Sequence, residues 1–233
     1  RTGLGSSSTF TTCLLRLMAH MNEAEMGPMD LAMKAHHMER DVLKENVGIQ
    51  DQLHASFGGV NRFDFFEDQV SCMPVRMSGL SQQALSQSMH LVFTNKTRSA
   101  SETLEEQIKG TASKKLDKDL RELYAMVGEC VRVLENPRPH DMVEDLGRMM
   151  HEGWQIKKRL SNMITNTQVD EIYDRALAAG AIGGKLCGAG TGGFLLMIVP
   201  PEQSKQFIKE MGENMVLPVG VAREGAVIVQ QSR

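Results

Sequence analysis

The sequence predicts an α+β fold, and three observations carry that prediction. Apolar residues recur at three- and four-residue spacing in several stretches, the signature of amphipathic helices. Two short stretches, 60–66 and 89–94, alternate apolar with polar residues, and the run Phe194-Leu195-Leu196-Met197-Ile198-Val199 is continuously apolar; both patterns suit strands. The two kinds of segment are mixed without strict alternation, which separates the chain from doubly wound parallel sheets.

The elements follow in order. Residues 6–22 read as a helix with Phe10, Leu14, Leu17, Met18 and Met21 on one face and Ser6 to Ser8 as caps. Residues 28–45 read as a second helix: Pro28 suits its first turn, and Leu31, Ala35, Met38 and Val42 form its stripe. A loop and short helix over 46–59 end at Gly58-Gly59. Phe63 and Phe65 mark the strand at 60–66, and Leu91 and Phe93 the strand at 89–94. Between them, polar Ser78 to Ser88 is the best candidate for a domain boundary. Helices are expected over 116–135, 140–161 and 168–179, the last stopped by Gly180. A glycine-rich loop over 183–193 leads into strand 194–199, which Pro200 and Pro201 halt. A helix over 201–213 and strands near 216–221 and 226–230 complete the reading.

Composition narrows the class. The 233 residues are 41% hydrophobic and 24% charged, with net charge −3 and a pI near 6.2. That is enough chain for one or two domains. It lacks the basic face of a general nucleic-acid binder, and no apolar run reaches the roughly 18 residues of a membrane span. Cys13, Cys72, Cys130 and Cys187 are dispersed without a CxxC pair, which fits a reduced cytoplasmic protein. The first residue is Arg1, and a glycine turn follows at once, so the sequence is expected to begin inside a domain.

Three constellations could carry chemistry. Gly3-Leu4-Gly5-Ser6-Ser7-Ser8 leads straight into a helix. Glycines admit close backbone approach, and free amides at a helix start favour phosphate; the alternative is an ordinary serine-capped turn. Glu39 and Asp51 flank the second helix and the short helix after it. Phosphoryl transfer needs carboxylates to hold magnesium and to orient or deprotonate a hydroxyl, although surface carboxylates are common. The third constellation, Lys185-Leu186-Cys187-Gly188-Ala189-Gly190-Thr191-Gly192-Gly193, contains GxGxxG. A dinucleotide fold needs a strand before such a loop and a helix after it. Here a helix is expected before it and a strand after, so a backbone anion nest is the better reading. His36 and His37 point in different directions on a helix and read as packing or surface residues. Trp154 reads as core, with Lys157 and Lys158 exposed beside it.

Taken in order, these segments resemble the GHMP kinases, the superfamily of galactokinase, homoserine kinase and mevalonate kinase. The family's second motif is similar to residues 3–8, its third to residues 185–193, and its acidic pair to Glu39 and the VGIQDQ segment around Asp51. HHMERDVLKENVGIQDQLHASFGGVNRFDF, LVFTNKTRSASETLEEQ and MHEGWQIKKRLSN resemble the heptose 7-phosphate kinase branch, with L-fucokinase domains as near relatives. The resemblance implies an N-terminal domain over 1–80, like ribosomal protein S5 domain 2, and a ferredoxin-like domain over 81–233. It implies an ATP-dependent kinase acting on the anomeric hydroxyl of a heptose 7-phosphate. Gly3, Leu4, Gly5, Ser6, Ser7 and Ser8 would hold the ATP phosphates, and Ser7 with Glu39 would hold Mg2+. Asp51 would receive or orient the hydroxyl proton, and the loop Gly188, Ala189, Gly190 and Thr191 would close over the phosphate and substrate. Arg62, Arg98, Lys157 and Lys158 are candidates for the substrate's own phosphate. The implied partners are ATP and a sugar phosphate, with neither nucleic acid nor membrane and with a homodimer left open. A catalytically silent ATP- and sugar-binding relative is the competing class. Three features depart from the family pattern: the first motif is absent, Ser8 replaces an alanine, and Thr191 stands where relatives often have glycine.

Overall fold

A computed structural model describes residues 3–67, 69–94, 111, 114–161, 164–188, 190 and 192–229. They fall into two compact units, one of residues 5–61 with 221–229 and one of residues 3–4 with 62–220.

The smaller unit is helical. Helices α1 (Ser6–Met21), α2 (Pro28–His37) and α3 (Gln50–Phe57) pack on one another around Leu31, Ala32, Ala35 and Leu53, all fully buried. Pro28 opens α2, where its missing N–H is no loss. α2 runs on into a wide π-helical turn, Met38–Val42, a feature common at functional sites. Glu39 therefore stands on the buried line of Leu31 and Ala35, and Val42 is 54% exposed. That corrects the apolar stripe expected for this helix, since a carboxylate occupies its core position. α1 needs a similar correction. It buries Ser8, Thr12 and Ala19, while Phe10, Leu14, Leu17, Met18 and Met21 are exposed. Segment 221–229 joins this unit through Gly59 N to Ala222 O at 2.7 Å and Ala226 N to Ala55 O at 2.8 Å. Residues 226–229 form no strand, contrary to the alternation at 226–230, and the N–H of Ala226 bonds to Ala55 O of α3 rather than to a ladder; residue 230 lies outside the described residues.

The larger unit begins with a two-stranded ribbon, β1 (Asn61–Phe65) and β2 (Val70–Pro74). Its main sheet is antiparallel, in the order β4 (Gly183–Leu186), β5 (Phe194–Ile198), β3 (Met89–Phe93) and β6 (Val216–Pro218). Phe93 faces Phe194 in register, with ring centroids 5.1 Å apart, a cross-strand pair of the stabilising kind. Around the sheet lie α4 (Gly79–Ser88), α5 (Asp117–Leu134), α6 (Pro139–Arg159), α7 (Thr167–Ala178) and α8 (Ser204–Met211). Trp154, Tyr173, Leu186, Leu195, Met197, Phe207 and Met211 close the core.

Several sequence expectations change here. The polar stretch Ser78–Ser88 is helix α4, capped by Ser78 accepting from Ser81 N at 3.0 Å. β2 was not foreseen, because VSCMP does not alternate cleanly. The glycine-rich segment at 183–193 opens as a strand, so the loop after Leu186 joins two strands of a hairpin, and the expected helix-loop-strand order becomes strand-loop-strand. Gly183 lies against α6 so closely that a Cβ would stand 2.1 Å from Gly147 O; this glycine serves helix–strand contact. The expected helix at 201–213 is a 3-10 turn, Pro201–Gln203, followed by α8.

All four cysteines are free thiols. No helix among the described residues is long and apolar enough to cross a membrane.

Candidate functional site

In the smaller unit, Gly5 precedes α1 in left-handed conformation, φ 66° and ψ 18°. No side chain caps the helix start, so the serines do not play the capping role expected of them. First-turn amides left without helical acceptors are anion donors by position and dipole. Ser6 and Ser7 are exposed beside them, whereas Ser8 is 5% exposed. A Cβ on Gly5 would stand 3.2 Å from both Cγ and Oδ2 of Asp51. Asp51, exposed in the first turn of α3, therefore lies against the loop backbone.

Glu39 is 1% exposed, and both of its oxygens accept hydrogen bonds. Ser8 Oγ donates to its Oε2 at 2.8 Å, Thr11 Oγ1 to its Oε1 at 3.0 Å, and Gln52 Nε2 to its Oε2. Gln52 Nε2 also reaches Ser8 Oγ at 3.2 Å. The glycine-serine loop, Glu39 and the start of α3 thus form one connected polar cluster. Sequence reasoning named Ser7 beside Glu39; in the structure the serine bonded to Glu39 is Ser8, and Gln52 and Thr11 join it. Gln52 Oε1 is buried without a hydrogen-bond partner. An orphan oxygen beside a carboxylate fits a hard dication, which takes oxygen ligands and is often held by one or two carboxylates together with phosphate oxygens. No group of three or more His, Cys, Asp or Glu stands together among the described residues.

In the larger unit, the second glycine loop runs between β4 and β5. Gly188 and Gly190 have φ of 74° and 129°, a region L side chains avoid. Ala189 and Thr191 lie outside the described residues. A Cβ on Gly190 would meet Ile164 O at 2.8 Å, so its glycine has a packing cause as well. Gly3 belongs to this unit and touches the same loop: its Cβ would stand 2.8 Å from Cys187 O. Thr94 clamps the loop's far end, its Oγ1 accepting from Gly193 N at 2.9 Å and donating to Gly193 O at 3.0 Å. Neither Thr94 nor Gln52 carries a sequence signal that would have singled it out.

The proposed phosphate cations separate clearly. Arg62 pairs with Asp64 at 2.8 Å. Lys158 pairs with Asp170 at 3.5 Å and lies 5.9 Å from the Trp154 ring centroid. Arg98 lies outside the described residues. Lys157 is half-buried rather than exposed, and its Nζ donates to Gly188 O at 3.3 Å. Burial, and then the charge of Lys185, lower its pKa from 10.5 to about 8, with Cys187 acting in the opposite sense.

Comparison with known proteins gives the family of this α+β fold. The model of the GHMP kinases N terminal domain matches residues 1–59, and that of the GHMP kinases C terminal domain matches residues 140–217. The chain belongs to the GHMP kinases. It is 31% identical over 210 residues to the D-glycero-alpha-D-manno-heptose 7-phosphate kinase of Campylobacter jejuni, covering 90% of this chain and 61% of that protein. It is 24% identical to the galactokinase of Pyrococcus furiosus, covering 87% and 62%. Among solved structures, it matches a D-glycero-D-manno-heptose 1-phosphate kinase from Bacteriodes thetaiotaomicron with TM-score 0.70 and 24% identity, covering 96% and 62%. It also matches L. major mevalonate kinase with R-mevalonate at TM-score 0.74 and 15% identity, covering 96% and 67%. The chain therefore spans about three fifths of the length of these two curated relatives.

Proposed function

We propose that the protein is an ATP-dependent sugar-phosphate kinase that phosphorylates the anomeric hydroxyl of D-glycero-D-manno-heptose 7-phosphate. One observation carries the reading: Gly5, at an uncapped helix start, lies against Asp51, while Ser8 of the same turn is bonded to buried Glu39. An anion nest with two carboxylates beside it is the equipment phosphoryl transfer needs. The substrate rests on similarity to the Campylobacter jejuni heptose 7-phosphate kinase. The domain division at residue 80, and cytoplasmic operation where ATP is at hand, belong to the same proposal.

In this mechanism the amides of residues 3–8 hold phosphate oxygens of ATP. Asp51 accepts the hydroxyl proton of the sugar or orients that hydroxyl for in-line attack. Glu39, with Ser7 or Ser8 and with Gln52 Oε1, would hold Mg2+, which when bound neutralises charge on the phosphates. Thr11 and Gln52 fix the Glu39 carboxylate. Two carboxylates placed this way favour an active kinase over a silent binder, which has no chemical need for a base.

The test is product analysis. The full-length protein is incubated with ATP and, in turn, heptose 7-phosphate, fucose and galactose, and products are read by phosphorus NMR. A new anomeric phosphate on heptose 7-phosphate is expected. Turnover of fucose alone would move the substrate assignment to fucokinase, and ADP formation with none of the sugars would remove the kinase reading.

A further inference from the structure

We propose that Lys157, with Lys185 nearby, is the cationic arm of a phosphoryl-binding site at the entrance to the loop between β4 and β5. The inference rests on the kinase reading and names a recognition element for it. Four cationic side chains crowd the end of α6 and the strand beside it, and they divide into two kinds. Arg159 is held by Asp119 at 2.7 Å and Glu122 at 2.6 Å. Lys158 is held by Asp170 and Trp154. Lys157 and Lys185 have no carboxylate partner among the described residues, and the charge of Lys185 raises the cost of charging Lys157. Charged groups drawn partly out of water are often paired, as Lys158 and Arg159 are.

The direction of Lys157 is also set. Its Nζ reaches Gly188 O, the carbonyl of the loop's second residue. Gly188 in turn lies against Gly3, its Cβ position 2.8 Å from Gly3 Cα. The ammonium therefore stands beside the point where Gly3 packs against this loop within the larger unit. A carbonyl oxygen is a weak partner for an ammonium with three donors, which leaves donors for an incoming anion. Lysine holds phosphate as a point charge in such places. The anion is a phosphoryl group, either of the nucleotide or of the phosphorylated sugar.

The experiment measures binding of ADP, heptose 7-phosphate and inorganic phosphate to the full-length protein by calorimetry, with turnover recorded separately. Lys157→Met should weaken at least one ligand about 10–100-fold, the worth of a charge-assisted contact. Lys157→Arg should retain most of the affinity, which a purely structural role would not require. Circular dichroism checks the fold of each variant, and Lys157→Gln replaces the methionine variant if that one fails to fold. Loss confined to ADP assigns the phosphoryl group to the nucleotide, and loss confined to heptose 7-phosphate assigns it to the sugar; either supports the site. Unchanged affinities in folded Lys157→Met and Lys185→Met, or no binding of any probe by the wild type, overturn it. A wild type that binds phosphate through Lys157 yet transfers none would keep this site and remove the kinase reading. Full turnover with insensitive variants would do the reverse.

Discussion

Replacing Lys157 with methionine should make the protein more stable at neutral pH while weakening its hold on phosphate. Methionine keeps the unbranched apolar stem and fills similar space. The magnitude follows from the lysine's surroundings. Burial and the Lys185 charge lower its pKa from 10.5 to about 8. Each unit is worth about 1.4 kcal/mol, so keeping Lys157 charged in the folded state costs about 3 kcal/mol. Partial solvation of the side chain reduces the expected gain to about 1–3 kcal/mol. For a chain of this size that is a rise in Tm of about 2–10 °C. The sign with pH is fixed by linkage. Below pH 8 the lysine is protonated whether folded or unfolded, and the full cost is present. Between pH 8 and 10.5 the unfolded chain binds more proton, so the wild type gains stability relative to the variant as pH rises. Above 10.5 both states are neutral and the cost is gone. Urea denaturation of both proteins at pH 7 and at steps up to pH 10.5 reads the difference directly. A variant less stable than wild type at pH 7, or a gap that does not shrink with rising pH, would refute the reasoning.

Three more predictions concern the site. Asp51→Asn should lower turnover by about 10²–10⁴, the usual worth of a general base, with ATP affinity nearly unchanged; steady-state kinetics on the full-length protein check it. Glu39→Gln should raise the magnesium needed for half-maximal activity, read from metal titrations. It should also cost about 1–3 kcal/mol of stability, because the acceptors of Ser8 and Thr11 are disturbed in a buried cluster. Gly190→Val should lower both activity and Tm, since its Cβ meets the Ile164 backbone at 2.8 Å and its φ is 129°; a thermal melt unchanged from wild type would contradict that packing role.

The glycine-serine loop was legible because its composition states its physics: glycines before a helix start leave amides free, and no partner elsewhere in the chain is needed to see this. The long helices and the FLLMIV strand were legible for the same local reason. What stayed hidden depends on partners distant in sequence. Glu39 reads as a flank residue until Leu31 and Ala35 show which line of α2 is buried. Gln52 and Thr11 are ordinary polar residues until Glu39 stands between them. Thr94 matters only because Gly193 returns beside β3. Gly183 sits in a glycine-rich run that suggests an anion nest, yet its cause is the backbone of α6. The apolar face of α1 misled in the opposite way, since periodicity gives a helix but not which side it covers. Lys157 and Lys158 are indistinguishable in sequence; only Asp170 and Trp154 tell them apart.

The central claim is transfer of the terminal phosphoryl group of ATP to a phosphorylated sugar. The direct test supplies the full-length protein with heptose 7-phosphate and ATP whose γ-phosphoryl oxygens carry 18O, and weighs the sugar product by mass spectrometry. A sugar bisphosphate whose new phosphoryl group carries the label is the expected product. Label found only in free inorganic phosphate, with the sugar phosphate unchanged, would contradict it.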